Sequence, residues 1–255
     1  MNRILAIALN TYREAIRDRV LYSLLFFGCI VLVASLVTRE ITIGDEEKMV
    51  RGTAMGAISA FSSVMAMFLG VSLVWKELER RTIYTLASKP IPRWMIVLGK
   101  YAGLMATLGV SLLIMAALYV VILGIGQGLP AGSFYLFLGM LFLELLLLTA
   151  WATLFSTYSG PTTATAFTLA IFVIGHLADD IWTFGQQAEG LGVRRLSAVL
   201  YWVLPNFEIF NVQPEATHEL AIGLGRVAAA AGYGLAYTAA VLAVAVVVFQ
   251  GRDFK

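Results

Sequence analysis

Charge is scarce in this sequence. Asp, Glu, Lys and Arg make up 13% of its 255 residues, about half the share usual in soluble domains. Its mean hydropathy is +0.84. A soluble core cannot use that much apolar surface, so water is excluded as the solvent around most of the chain. Cysteine occurs once, at Cys29, which excludes an intrachain disulfide. The apolar run at "LFFGC" continues past Cys29 through Val37, which argues against lipoprotein processing. The first apolar span starts near Val20 and no hydrophilic domain follows it, which argues against a cleaved signal peptide. There is no phosphate loop: Gly-Lys occurs only at Gly99-Lys100, followed by Tyr101 and without the upstream glycine. H-E-x-x-H and G-x-S-x-G are missing as well, and the histidines are His176 and His218 alone. A net charge of +2 leaves no basic surplus for nucleic acid.

What the chain does have is apolar length. A spanning helix needs about 20 mainly apolar residues. Six segments qualify: 20–38, 53–75, 97–125, 133–156, 161–179 and 225–249. The third is long enough to tilt or to project from the bilayer. The expected fold is therefore an all-α integral membrane protein of one domain, 1–255, with six transmembrane helices. Residues 2–18 are amphipathic instead. Ile4, Ala8, Tyr12 and Ile16 recur every four residues, with Leu5 and Leu9 beside them and Arg3, Arg13 and Arg17 opposite. That pattern suits an N-terminal helix lying in the membrane interface.

Lys and Arg set the orientation. Twelve of the eighteen fall on one side if the N-terminus is cytoplasmic. Both termini are therefore expected inside, in a multi-pass cytoplasmic membrane protein. The charged stretch at 39–52 reads as an outer loop. The longer connection 180–224 contains "RRLSAVLYWVLPNFEIF", which is too short to span and is broken at Pro205 and Asn206. It reads as a re-entrant or surface helix on the outer side. In the last span Ala228, Gly232, Ala236 and Ala240 form a small-residue stripe. Such stripes let helices approach closely in lipid, and this one is expected to face another helix of the chain or a second copy.

Two polar features stand out within the spans. Glu144 lies mid-span in "LFLELLLL". A charge there costs about 2.5–3.5 kcal/mol on insertion scales, so it is expected to face the bundle interior or carry a proton. It is the pathway candidate, and it leaves open an ion- or proton-coupled carrier. "HLADDIW" sets His176 and Asp179 one helical turn apart at the end of the fifth span. These read as capping groups; a metal site or an intramembrane enzyme is the alternative.

The remaining charges concentrate in "WKELERRTIYTLASKPIPRWMIVLGK", residues 75–100. Trp75, Leu78, Thr82 and Leu86 share one helical side, and Glu77 can pair with Arg81. Pro90 and Pro92 end the helix, because a proline pushes the residue before it out of helical geometry. Arg93 and Trp94 restart it. The product is a short cytoplasmic helix on a stiff proline corner.

This run resembles the first cytoplasmic loop of ABC-2 superfamily permeases, the membrane subunits of type-2 ABC transporters. The matching residues are Glu79, Thr82, Leu86, Pro90, Arg93 and Lys100, with Arg81 where the family usually has glycine. "YREAIRDRVLY" resembles the family's connecting helix, "LYWVLPNFEIFN" its outer segment and "FQGRDFK" its cytoplasmic tail. The resemblance implies a coupling helix at 76–88, with Glu77, Glu79, Arg80, Thr82, Leu86, Pro90 and Arg93 in the coupling loop. It implies a separate ABC ATPase subunit that binds ATP and Mg and does the hydrolysis, so this chain is expected not to be an enzyme by itself and to hold no cofactor or metal. It also implies a second copy or a paralogous permease as partner, an exporter as the function, and a bacterial or archaeal inner membrane as the location.

Overall fold

The computed structural model describes residues 3–41, 44–80, 92–124 and 129–251, without the side chains of 38–41, 73–80 and 93. Among these residues all regular secondary structure is helix. The helices are α1 (Arg3–Ile16), α2 (Arg19–Ile41), α3 (Glu46–Arg80), α4 (Arg93–Gly124), α5 (Gly132–Tyr158), α6 (Pro161–His176), α7 (Ala178–Gln187), α8 (Leu191–Val203), α9 (Gln213–Thr217) and α10 (Leu224–Gln250), with a 3₁₀ turn at Glu208–Phe210. Helix is the answer to an apolar solvent, because it pairs backbone N–H and C=O groups inside one segment. Several buried hydroxyls follow the same rule. Thr107 donates to the Gly103 carbonyl, Thr153 to Thr149 and Thr168 to Ala164, at 2.7–3.0 Å.

Among the described residues five helices are long and apolar enough to cross a membrane: α2, α3, α4, α5 and α10. A sixth crossing exists only if α6 and α7 are taken as one span bent by 60°. The stretch read as a fifth span is thus interrupted at Leu177. At 16 residues α6 is about 24 Å long, short of the roughly 30 Å hydrocarbon core. No proline causes the bend. Instead the chain returning from α8 packs against the end of α6. The Phe207 N–H donates to the Gly175 carbonyl at 3.0 Å, and the Phe207 ring fills the place a Cβ on Gly175 would need.

Asn206 holds this closure together. Its side-chain amide donates to Asp179 at 2.8 Å, its backbone N–H to the Tyr233 hydroxyl at 3.0 Å, and its side-chain oxygen accepts from the Glu208 N–H at 2.9 Å. Tyr237 on α10 adds a bond to the Val203 carbonyl at 2.8 Å. The helices α7 and α8 thus form a hairpin hung between α6 and α10. It exposes Phe184, Leu191, Leu196, Val199 and Trp202.

The stretch at 39–52 is helix for most of its length, since α2 runs to Ile41 and α3 begins at Glu46. Charge ends a membrane crossing without ending a helix. Glu46 and Glu47 in the first turn suit the helix dipole. Lys48 pairs with Asp45 at 2.9 Å and holds that exposed carboxyl below its usual range. Arg51 pairs with Glu47 and with Glu219, and Gln213 donates to the Gly52 carbonyl. These contacts tie residues 213–219 to the start of α3.

At the opposite face α1 docks on the start of α4. Ile7 closes over Gly99, while Ala8 and Thr11 close over Gly103. Thr11 and Ala15 are buried, whereas Leu5 and Leu9 stay exposed. The helix therefore has one face on the bundle and a second apolar strip left over. In α10 the buried positions are Ala230, Gly234, Thr238, Val241, Leu242, Ala245 and Phe249. The stripe of Ala228, Gly232, Ala236 and Ala240 lies on the exposed side. Among the described residues it faces no other helix of this chain, so of the two partners expected from its spacing the one within the chain is contradicted.

Two measurements check this packing. At Gly103 a Cβ would strike the Ala8 carbonyl, which is backbone and cannot rotate away. Gly103→Ala is expected to cost about 1–3 kcal/mol through overpacking, seen as a lower thermal midpoint and faster proteolysis within α1. Gly139→Ala, with nothing within 4 Å of its Cβ position, is expected to be tolerated. Asn206→Leu removes the two side-chain bonds of the closure, to Asp179 and from the Glu208 N–H, and is expected to cost about 1–3 kcal/mol and to raise hydrogen exchange in α7 and α8 above that in α5.

Candidate functional site

The bundle is organised around α5, which packs against α3, α4, α6 and α10. Glu144 sits on it with 4% of its surface exposed. Its Oε1 has no hydrogen-bond partner. The Ser63 hydroxyl of α3 borders the carboxyl without completing a hydrogen bond, and Ser62, Ser63 and Thr149 are buried hydroxyls in the same condition. Opposite, His176 at the end of α6 places its Nε2 3.6 Å from Glu144 Oε1. That is ion-pair range but longer than a hydrogen bond.

The histidine ring is fixed by three contacts. Nδ1 lies 3.0 Å from the Phe172 carbonyl, and the ring packs on Phe172 and stacks on Phe207 at 5.5 Å and 30°. A carbonyl can only accept, so Nδ1 must carry a proton. Nε2 then faces Glu144 either as a lone pair or as a second N–H. In the first case a protonated carboxyl matches it; in the second a carboxylate does. Either arrangement keeps the pair neutral overall. An ionised carboxylate against a bare lone pair would repel and leave a charge unpaired in the bilayer. Glu144 thus faces the bundle interior, one of the two arrangements its sequence position allowed. Its histidine partner comes from a separate helix, and nothing in the linear sequence links the two.

The bend at Leu177 sends His176 and Asp179 in different directions. His176 points at Glu144, while Asp179 accepts from Asn206. They do not act as one helical face. Asn206, a helix breaker in the sequence reading, is the centre of the closure above the buried pair. The sign of this in sequence was faint: an asparagine after a proline in an otherwise apolar segment.

The charged run of the sequence begins as helix, since α3 continues unbroken to Arg80 and so carries Glu77, Glu79 and Arg80 on its end. The segment expected to hang as a separate helix from residue 76 therefore starts as an extension of the span. Thr82, Leu86 and Pro90 lie outside the described residues, and Arg93 opens α4. On the facing side Lys100 is nearly buried, with 9% of its surface exposed, near Glu14 and Asp18.

No curated protein matches this chain. A family model described as "ABC-2 family transporter protein" matches residues 5–254. That match covers the amphipathic first helix, the charged run, the α7–α8 hairpin and the final span. The chain belongs to the ABC-2 family of transporter membrane proteins.

Proposed function

We propose that this membrane component is the permease subunit of an ATP-driven exporter, working as a dimer with a separate ATPase. The observation that carries the reading is the family match over nearly the whole chain together with a sequence that has no phosphate loop. Hydrolysis then belongs to a partner that holds ATP and Mg. The charged segment offers the contact. Glu79 presents a carboxylate among cations, suited to an arginine on the partner. Leu86 supplies an apolar anchor for a cleft, and Thr82 lies between them. Glu77, Arg80, Pro90 and Arg93 shape and charge the same corner. The excess of Lys and Arg on this side supports a cytoplasmic placement for it and for both termini. The exposed stripe at Ala228, Gly232, Ala236 and Ala240 offers a surface for a second copy.

Glu79→Ala and Leu86→Ala are expected to leave insertion intact and to lower co-purification with the ATPase, or ATP turnover coupled to transport, by about tenfold, the factor for losing one anchoring contact of ~1.4 kcal/mol. Lys255→Ala is the control and changes little. The chain purified without its ATPase neither binds nor hydrolyses ATP. Turnover by the homogeneous chain, or normal assembly and coupling in both variants, overturns the proposal.

Glu144 is the candidate for the translocation pathway, supported by its burial and by the imidazole of His176 3.6 Å from its carboxyl. Glu144→Gln keeps a hydrogen-bonding group of the same shape and loses the exchangeable proton. Its expected effect is an altered pH profile of coupled ATP turnover with unchanged expression. A wild-type profile in Glu144→Gln assigns the residue a packing role instead.

A further inference from the structure

Arg51 and Arg226, each paired with a carboxylate of residues 215–219, mark one end of the bundle. Along α10, Tyr233 and Tyr237 lie about 10.5 and 16.5 Å from Arg226 at 1.5 Å per residue. The Tyr233 hydroxyl accepts from the Asn206 N–H, and Tyr237 donates to the Val203 carbonyl. Half of a hydrocarbon core is about 15 Å. The α7–α8 hairpin therefore reaches nearly to the middle of the bilayer. Asp179, held by the Asn206 amide, lies at that deep end, with Asp180 next to it.

The two helices of the hairpin turn unlike faces outward. On α8 the exposed side is Leu196, Val199, Trp202 and Val203, a surface for acyl chains. On α7 it is Asp180, Thr183 and Gln187, spaced i, i+3 and i+7 as one polar stripe along the helix, with Phe184 at its edge. Thr183 returns its hydroxyl to the Asp179 carbonyl. The Asp180 carboxyl is exposed and meets no hydrogen bond or ion pair among the described residues. A carboxylate at this depth needs a partner or water, so this stripe does not lie against lipid as the face of α8 does. It begins four residues after His176, across the bend at Leu177, and so stands beside the Glu144–His176 pair.

We propose that the stripe of Asp180, Thr183 and Gln187 is one wall of a water-filled recess. The recess opens at the Arg51–Arg226 end of the bundle and descends toward Glu144 and His176. Asp180 stands at its floor and favours water and cations there over anions. Use of the recess as one half of the translocation pathway rests on the reading of Glu144 given above. The recess itself rests on depth and polarity.

The test is thiol reactivity of the full-length chain in membranes opened by freeze–thaw, so that reagent reaches both sides, with Cys29→Ala as the background. The reagents are a cationic and an anionic methanethiosulfonate of similar size. Asp180→Cys and Thr183→Cys are expected to react with the cationic reagent within about tenfold of Gln187→Cys, and Val199→Cys about a hundredfold slower, because only a thiolate reacts and lipid keeps a thiol protonated. Adding Asp180→Asn to Thr183→Cys is expected to lower the ratio of cationic to anionic rates by about threefold, the work of one partly screened carboxylate a turn away. Slow reaction at either Asp180→Cys or Thr183→Cys overturns the proposal and puts the stripe against lipid or a second copy. Reaction at Val199→Cys as fast as at Asp180→Cys overturns it as well, because the whole hairpin then lies in water. An unchanged ratio on adding Asp180→Asn overturns the place of Asp180 at the floor. The measurement needs no ATPase, so a failure to assemble with one counts against the function proposed above and not against the recess.

Discussion

The absence of water around the spans is the constraint on which the rest of this structure depends. Inside a bilayer each backbone amide must find its partner within the protein, and a side-chain polar atom left without one is costly. Helix solves the backbone problem, and the back-bonded threonines of α4, α5 and α6 solve the hydroxyl problem one turn at a time. Glu144 cannot be solved locally. Its carboxyl is met from other helices, by the Ser63 hydroxyl that borders it and by His176 at 3.6 Å. The position of that histidine depends in turn on where α6 stops.

The stop is the work of the segment 204–207. Phe207 takes the Gly175 carbonyl, stacks under His176 and occupies the space above Gly175. Asn206 then anchors the segment to α7 and α10 together. The end of α6, the ring angle of His176 and the hairpin above it are therefore one arrangement. A change at the hairpin has a direct physical route to the buried pair, through Phe207 and the imidazole it stacks on. At the other face the route begins at α1, whose backbone lies against Gly103 of α4 with no side chain between them. The charged run between α3 and α4 is continuous with both helices at its ends, and α4 is the helix that α1 braces.

The reading of residues 75–100 as a coupling segment started from charge density in a chain that can tolerate little charge and rested on the family resemblance that its residues carry. Glu144 was legible for the same reason, as a lone acid in an apolar run. His176 was visible, but as a capping group paired with Asp179. The i, i+3 spacing placed them on one face only if the helix continued, and it bends between them. The small-residue stripe of α10 misled in a similar way. Spacing marks a close-packing surface but not which neighbour uses it. Here Ala230, Gly234 and Thr238 meet the bundle, and the stripe points out.

The sequence by itself determined the solvent, the all-helical class, the positions of the long apolar helices and the amphipathic start. Each of these follows from local composition and from the length needed to cross a bilayer. Tertiary structure alone decided that charge at 46–52 extends α3, that α6 ends at His176, and that Glu144 meets an imidazole. Those outcomes rest on contacts between residues far apart in the chain: Arg51 with Glu219, Phe207 with Gly175, and Glu144 with His176. Helical periodicity reports the face a residue occupies. It carries no record of the partner across the helix–helix gap, because packing in lipid is decided by shape and polar pairing between helices and not by hydrophobicity along one of them.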